Sequence, residues 1–127
     1  MGDEKLGLEL ERLVRDDPRY SIEAYIFLMN ALEFTLATLA REGHVSGTEL
    51  LEGVRRLAKE RFGPTAKMVF EHWGVKKTDD FGEIVFNLIG AGILGKTEQD
   101  SIDDFKGVYD FGEVFEKKCD WKISGLK

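Results

Sequence analysis

The stretch from Ile22 to Ala40 constrains this chain more than any other feature. Ile22, Tyr25, Ile26, Met29, Leu32, Leu36 and Leu39 recur at the three- and four-residue intervals of an α-helix, and Ala24, Phe27, Leu28, Ala31 and Phe34 fill the gaps between them. A helix that is apolar nearly all round has no face to offer to water, so the expected structure buries it on most sides. Glu23, Asn30 and Glu33 interrupt the stretch, and two carboxylates are costly in hydrocarbon, so the expected surroundings are protein and not membrane. The chain has 127 residues, enough for one core. The expected organisation is a single domain over 1–127, with a leading short helix and linker at 1–19, a core domain at 20–116 and a loose tail at 117–127.

Other helices are read from their boundaries. Leu6, Leu10, Leu13 and Val14 mark a first helix that Asp16-Asp17-Pro18 ends. Ser21 is placed as N-cap of the apolar helix, with Tyr20 and Tyr25 spaced as a hydrophobic staple, and Gly43 is its expected end. Ser46-Gly47-Thr48-Glu49 fits the capping box S-x-x-E, flanked by Val45 and Leu50 as a second staple. Leu50, Leu51, Val54, Leu57, Ala58 and Phe62 follow as a buried face. Gly63-Pro64 breaks the pattern, and Pro64 opens a short helix whose core face is Ala66, Val69, Phe70 and Trp73, with Gly74 as its cap. Thr78 or Asp79 is expected to cap a further helix through Phe81, Ile84, Val85, Leu88 and Ile89. Beyond Leu94 the pattern predicts irregular chain, one or two short strands and a helical turn near Phe111 to Phe115.

Charge is unevenly placed around a net value of −6. Between Ser46 and Lys77 there are seven Lys/Arg and four Glu, or +3; between Asp79 and Glu113 there are nine Asp/Glu and two Lys, or −7. The acidic part would repel phosphate backbones. The single cysteine, Cys119, leaves no internal disulfide, and an acidic start without an apolar run does not read as a signal peptide; both fit the cytoplasm.

Several blocks resemble a known family. These are Ser21–Tyr25, His44–Gly53, Arg61–Pro64, Glu71–Gly74, Asp80–Leu88 and Lys96–Asp100. Together, from about Tyr20 to Phe115, they resemble the Verrucomicrobia/Planctomycete-type conserved hypothetical protein family of bacteria. The resemblance implies one domain over the whole chain and assigns no catalytic residue.

Motifs with chemical promise are weighed one by one. Gly90, Gly92, Gly95, Lys96 and Thr97 satisfy G-x-x-x-x-G-K-[ST], in which backbone amides and a lysine would cradle phosphate. That reading needs a strand before the loop, for which Ile84 to Ile89 would have to serve, and a packed helix after it. Glu98-Gln99-Asp100-Ser101 is too polar and acidic for such a helix, so a helix end followed by a loop is favoured, and no cofactor is expected. Asp80-Phe81-Gly82 and Asp110-Phe111-Gly112 spell a kinase triplet without the rest of a kinase. His44 and His72 lack a second histidine at metal spacing, and no metal site is expected. Cys119 has no local base, and no catalytic residue is assigned.

Ala66–Trp73 followed by Thr78–Ile89 has the spacing of a helix-turn-helix, with Gly92-Ile93-Leu94 where a wing would start. The fold expected is therefore mainly α: a helical N-terminal layer followed by a winged-helix-like half with at most a small β wing. The would-be reading helix offers Asp79, Asp80, Glu83 and Asn87 but no Arg or Lys. The function expected is a non-enzymatic protein-interaction or regulatory module. The alternatives are a DNA-associated regulator using Arg55, Arg56, Lys59, Arg61, Lys67, Lys76 and Lys77, and an atypical P-loop nucleotide binder.

Overall fold

A computed structural model describes residues 2–40, 45–95 and 102–116. The chain is mainly helical: α1 (Gly2–Asp16), α2 (Ile22–Leu39), α3 (Gly47–Phe62), a 3-10 turn (Gly63–Thr65), α4 (Ala66–His72) and α5 (Thr78–Gly90). A second 3-10 turn (Ile102–Phe105) and a single π turn (Gly112–Glu116) complete the order. Among the described residues there is no strand.

The capping signals explain where the helices start. Ser46 Oγ accepts from the Glu49 amide at 3.1 Å, and the Glu49 carboxylate accepts from the Ser46 amide at 3.0 Å. Val45 and Leu50 are both buried beside this box, as a staple requires. Tyr20 and Tyr25 are likewise buried at the start of α2. Ser21 occupies the N-cap position there, but its hydroxyl makes no capping bond. Pro64 sits at the start of the 3-10 turn that leads into α4, and Gly74 follows α4 with φ +92°. A side-chain carbon at Gly74 would run into the Arg19 carbonyl, so a glycine lets this turn lie against the α1–α2 linker.

Some expectations are corrected. The apolar helix ends at Leu39, through Ala40 in the left-handed region (φ 54°), and not at Gly43, which lies outside the described residues. The α2 helix is buried along one broad face (Ala24, Tyr25, Phe27, Leu28, Ala31, Thr35), while Ile26 keeps 44% of its surface exposed; packing on α3 and α5 uses one side only. By length and composition alone α2 would also pass for a membrane-crossing helix. Neither Thr78 nor Asp79 caps α5. Asp80, one turn in, accepts from the amides of Lys76 (2.8 Å) and Lys77 (3.3 Å). Ile84–Ile89 is helix, as its periodicity predicts and contrary to what a P-loop would need, and Gly92-Ile93-Leu94 folds back on it: the amides of Ile93 and Leu94 both donate to Leu88 O. No wing strand starts there.

The core is strongly aromatic. Phe27 of α2 meets Phe62, Phe70 and Trp73 with ring centroids 5.5–5.8 Å apart, joining α2 to α3 and α4. On its other side Phe70 meets Phe81 of α5 and Phe111 and Phe115 of the C-terminal segment. Helix α1 packs on α2, and the segment 102–116 packs on α3, α4 and α5. The expected tail, 117–127, lies outside the described residues.

Candidate functional site

Helices α2 and α3 approach closely because Gly53 has no side chain. Thr35 of α2, almost fully buried, faces it and donates its hydroxyl to Ala31 O at 2.7 Å. Toward the C-terminal end of α2 the two helices enclose a half-open cleft of about 110 Å³, lined by Phe34, Thr35, Thr38 and Leu39 from α2 and by Glu49, Glu52, Gly53 and Arg56 from α3. Its interior is apolar and its charged groups stand on the α3 side at helical spacing. The Glu52 carboxylate is held by two hydrogen bonds from Arg55, which lower its pKa below the usual range; Arg56 beside it is exposed.

A second cluster of chemistry-bearing residues lies where the α1–α2 linker crosses α5. Arg19 donates to Asp17 through Nε (2.8 Å) and Nη2 (2.7 Å), stacks over the Tyr20 ring at 5.0 Å and reaches Glu83 at 3.4 Å. These Arg19 bonds, with one from Asn87, hold the Asp17 carboxyl far below its ordinary pKa. Asn87 Nδ2 also donates to the Tyr25 hydroxyl at 2.9 Å, and the Tyr20 hydroxyl donates to Asp80 at 2.8 Å. Burial raises the pKa of both tyrosines, and for Tyr20 the Asp80 carboxylate adds to it. The donors and acceptors in this network are directed at one another, which pins the linker to α5.

The basic residues singled out from sequence are spread along three elements. Arg55 is bound to Glu52, and Lys67 to Glu71 at 2.9 Å. Lys59 is half-buried on α3; Arg56 and Arg61 are exposed there, and Lys76 and Lys77 are exposed in the turn before α5. Asn87, the one amide side chain on α5, is occupied by Asp17 and Tyr25. No residue of α5 from Thr78 to Ile89 is fully exposed.

Of the P-loop-like set, Gly90 ends α5, Gly92 turns the chain with φ +79°, and Gly95 is exposed. Lys96 and Thr97 lie outside the described residues, as do His44 and Cys119. His72 is exposed at the end of α4. Among the described residues, no group of three His, Cys, Asp or Glu is arranged to hold a metal ion. Sequence reasoning missed the α2–α3 cleft; its signal was a glycine amid the apolar face of α3. Comparison with protein-family models, curated proteins and solved structures produced no match.

Proposed function

We propose that this domain is a non-enzymatic protein-interaction or regulatory module, and that the α2–α3 cleft receives one aliphatic side chain of a partner protein. The cleft itself carries the reading. Its volume of about 110 Å³ is below the roughly 150 Å³ of a cavity that holds benzene, so it suits a branched aliphatic group. Interfaces concentrate their binding energy in such anchors, with polar groups around them, and Glu49, Glu52 and Arg56 form that surround.

We read the succession α3, α4, α5 as winged-helix-like in order but used for protein contact. What favours this over DNA reading is the covering of α5 and the engagement of Asn87. A DNA-associated role would fall to Arg56, Arg61, Lys76 and Lys77 on other faces. A P-loop role would need the strand that α5 replaces.

The test compares tagged wild-type chain with Thr38→Trp, which fills the cleft, and Met68→Asp, which alters an exposed side chain on α4. Affinity purification from the protein's own cells should retain a partner with wild type and Met68→Asp and lose it with Thr38→Trp at unchanged melting temperature. Equal retention by Thr38→Trp, or recovery of nuclease-sensitive DNA instead, would overturn the proposal.

A further inference from the structure

The segment Ile102–Glu116 is attached in the manner of a bound peptide. Its buried side chains are Phe105, Phe111 and Phe115, spaced F-x5-F-x3-F, while Asp103, Asp104, Lys106, Gly107, Val108, Asp110 and Glu113 between them are exposed. Its backbone is held by side chains of α5. The Gly107 amide donates to Asp79 at 2.9 Å, the Val108 amide to Thr78 Oγ1 at 3.1 Å, and Thr78 Oγ1 donates to Phe105 O at 2.7 Å. Tyr109 donates its hydroxyl to Leu51 O at 2.6 Å, and burial raises its pKa.

The surface beneath is shaped for an aromatic ring. Phe105 lies against two glycines on different helices. A side-chain carbon at Gly82 would fall 2.8 Å from Phe105 Cβ, and one at Gly47 would fall 3.0 Å from its ring. Further along, Phe111 packs on Phe70 at a tilt and Phe115 meets it edge to face. The helices forming this groove also have contacts of their own: α2 packs on α3 and α5, and the Phe27–Phe62–Trp73 cluster ties α2, α3 and α4 together.

We propose that Ile102–Glu116 is a releasable strap, docked in cis in an aromatic peptide groove on α3, α4 and α5, and that the same segment of a second copy of the chain competes for that groove. This stands independently of the α2–α3 cleft. Detachment leaves the α5 helix bonds intact, because the bonds lost run from the strap to side chains and to one carbonyl of α3. The spacing of the three phenylalanines, with a ring required between Gly47 and Gly82, sets which peptide can enter.

The experiment is native-state hydrogen exchange on the full chain at increasing urea. The strap amides of Lys106, Val108 and Val114 should share one urea dependence and open at least about tenfold more often than amides within α3. Phe105→Ala should raise that frequency for all three without changing α3, and a labelled peptide of residues 102–116 should then bind the variant far better than wild type. Tyr109→Phe, which removes only the bond to Leu51, should act in the same direction more weakly. Strap amides that exchange only together with α3 would overturn the proposal. So would unrelated urea dependences, or failure of the peptide to bind a folded Phe105→Ala chain.

Discussion

Adding a single methyl at Gly53 tests how tightly α2 and α3 are joined. An alanine there would overlap Thr35 Oγ1 and place its carbon 3.1 Å from Thr35 Cβ and 3.5 Å from Ala31 O. Thr35 cannot turn aside freely, because it is 4% exposed and its hydroxyl bonds Ala31 O. Relief therefore requires the hydroxyl to leave that bond, worth about 0.5–1.5 kcal/mol, or the helices to shift, at about 1–3 kcal/mol for overpacking. Against this, alanine in a helix interior gains about 1 kcal/mol over glycine. The net expectation for Gly53→Ala is a loss of up to about 2 kcal/mol. Thr35→Ala removes the obstructing atom, so the double variant should be more stable than the two single losses predict, with a coupling of at least about 1 kcal/mol. Urea unfolding followed by circular dichroism and tryptophan fluorescence measures all four proteins. A Gly53→Ala midpoint clearly above wild type, or losses that simply add, would refute the close-packing argument.

Ser46→Ala should lower stability by about 0.5–2 kcal/mol, because it removes one half of the reciprocal cap; an unchanged urea midpoint would deny Ser46 that role. Ala40→Gly should raise stability by up to about 2 kcal/mol, since Ala40 holds a left-handed conformation that costs an L-residue about 1–2 kcal/mol; a lower urea midpoint would show that the Ala40 methyl contributes packing. Asp17 has a depressed folded-state pKa, so its contribution is present above its unfolded value of about 3.9 and is lost as pH falls through the folded value. Asp17→Asn should therefore lower stability at neutral pH and flatten the decline below about pH 4, which thermal melts across pH measure. Excess MgATP should leave the melting temperature unchanged in wild type and Lys96→Ala alike, whereas ligand at a hundredfold excess over Kd would add about 2.7 kcal/mol.

What could be read from sequence is what closes within a few residues. Ser46 and Glu49 are partners three positions apart, Tyr20 and Tyr25 lie five positions apart, and Gly74 follows the Trp73 cap of its helix, so local chemistry determined each. The start of α5 was misread because two short polar residues, Thr78 and Asp79, looked like caps while both were engaged elsewhere: Thr78 with Phe105 and Val108, Asp79 with Gly107. The α2–α3 cleft depends on Gly53 meeting Thr35, and the strap slot on Gly47 and Gly82 meeting Phe105. Helical periodicity carries no information about such pairings. The burial of α2 was overestimated for a related reason: an apolar sequence states what a helix would gain from cover, and the neighbours decide how much cover it receives.

The position of the strap at the far end of the described chain also bears on synthesis. Chains emerge N-terminus first, at about 5–20 residues per second, and the 26 residues from Ala91 to Glu116 therefore take roughly 1–5 s to follow α5. During that interval Phe70 and Phe81 are without the rings of Phe111 and Phe115. The nascent chain thus passes through a stage with an uncovered aromatic surface, open to chaperones or to a neighbouring nascent chain on the same messenger.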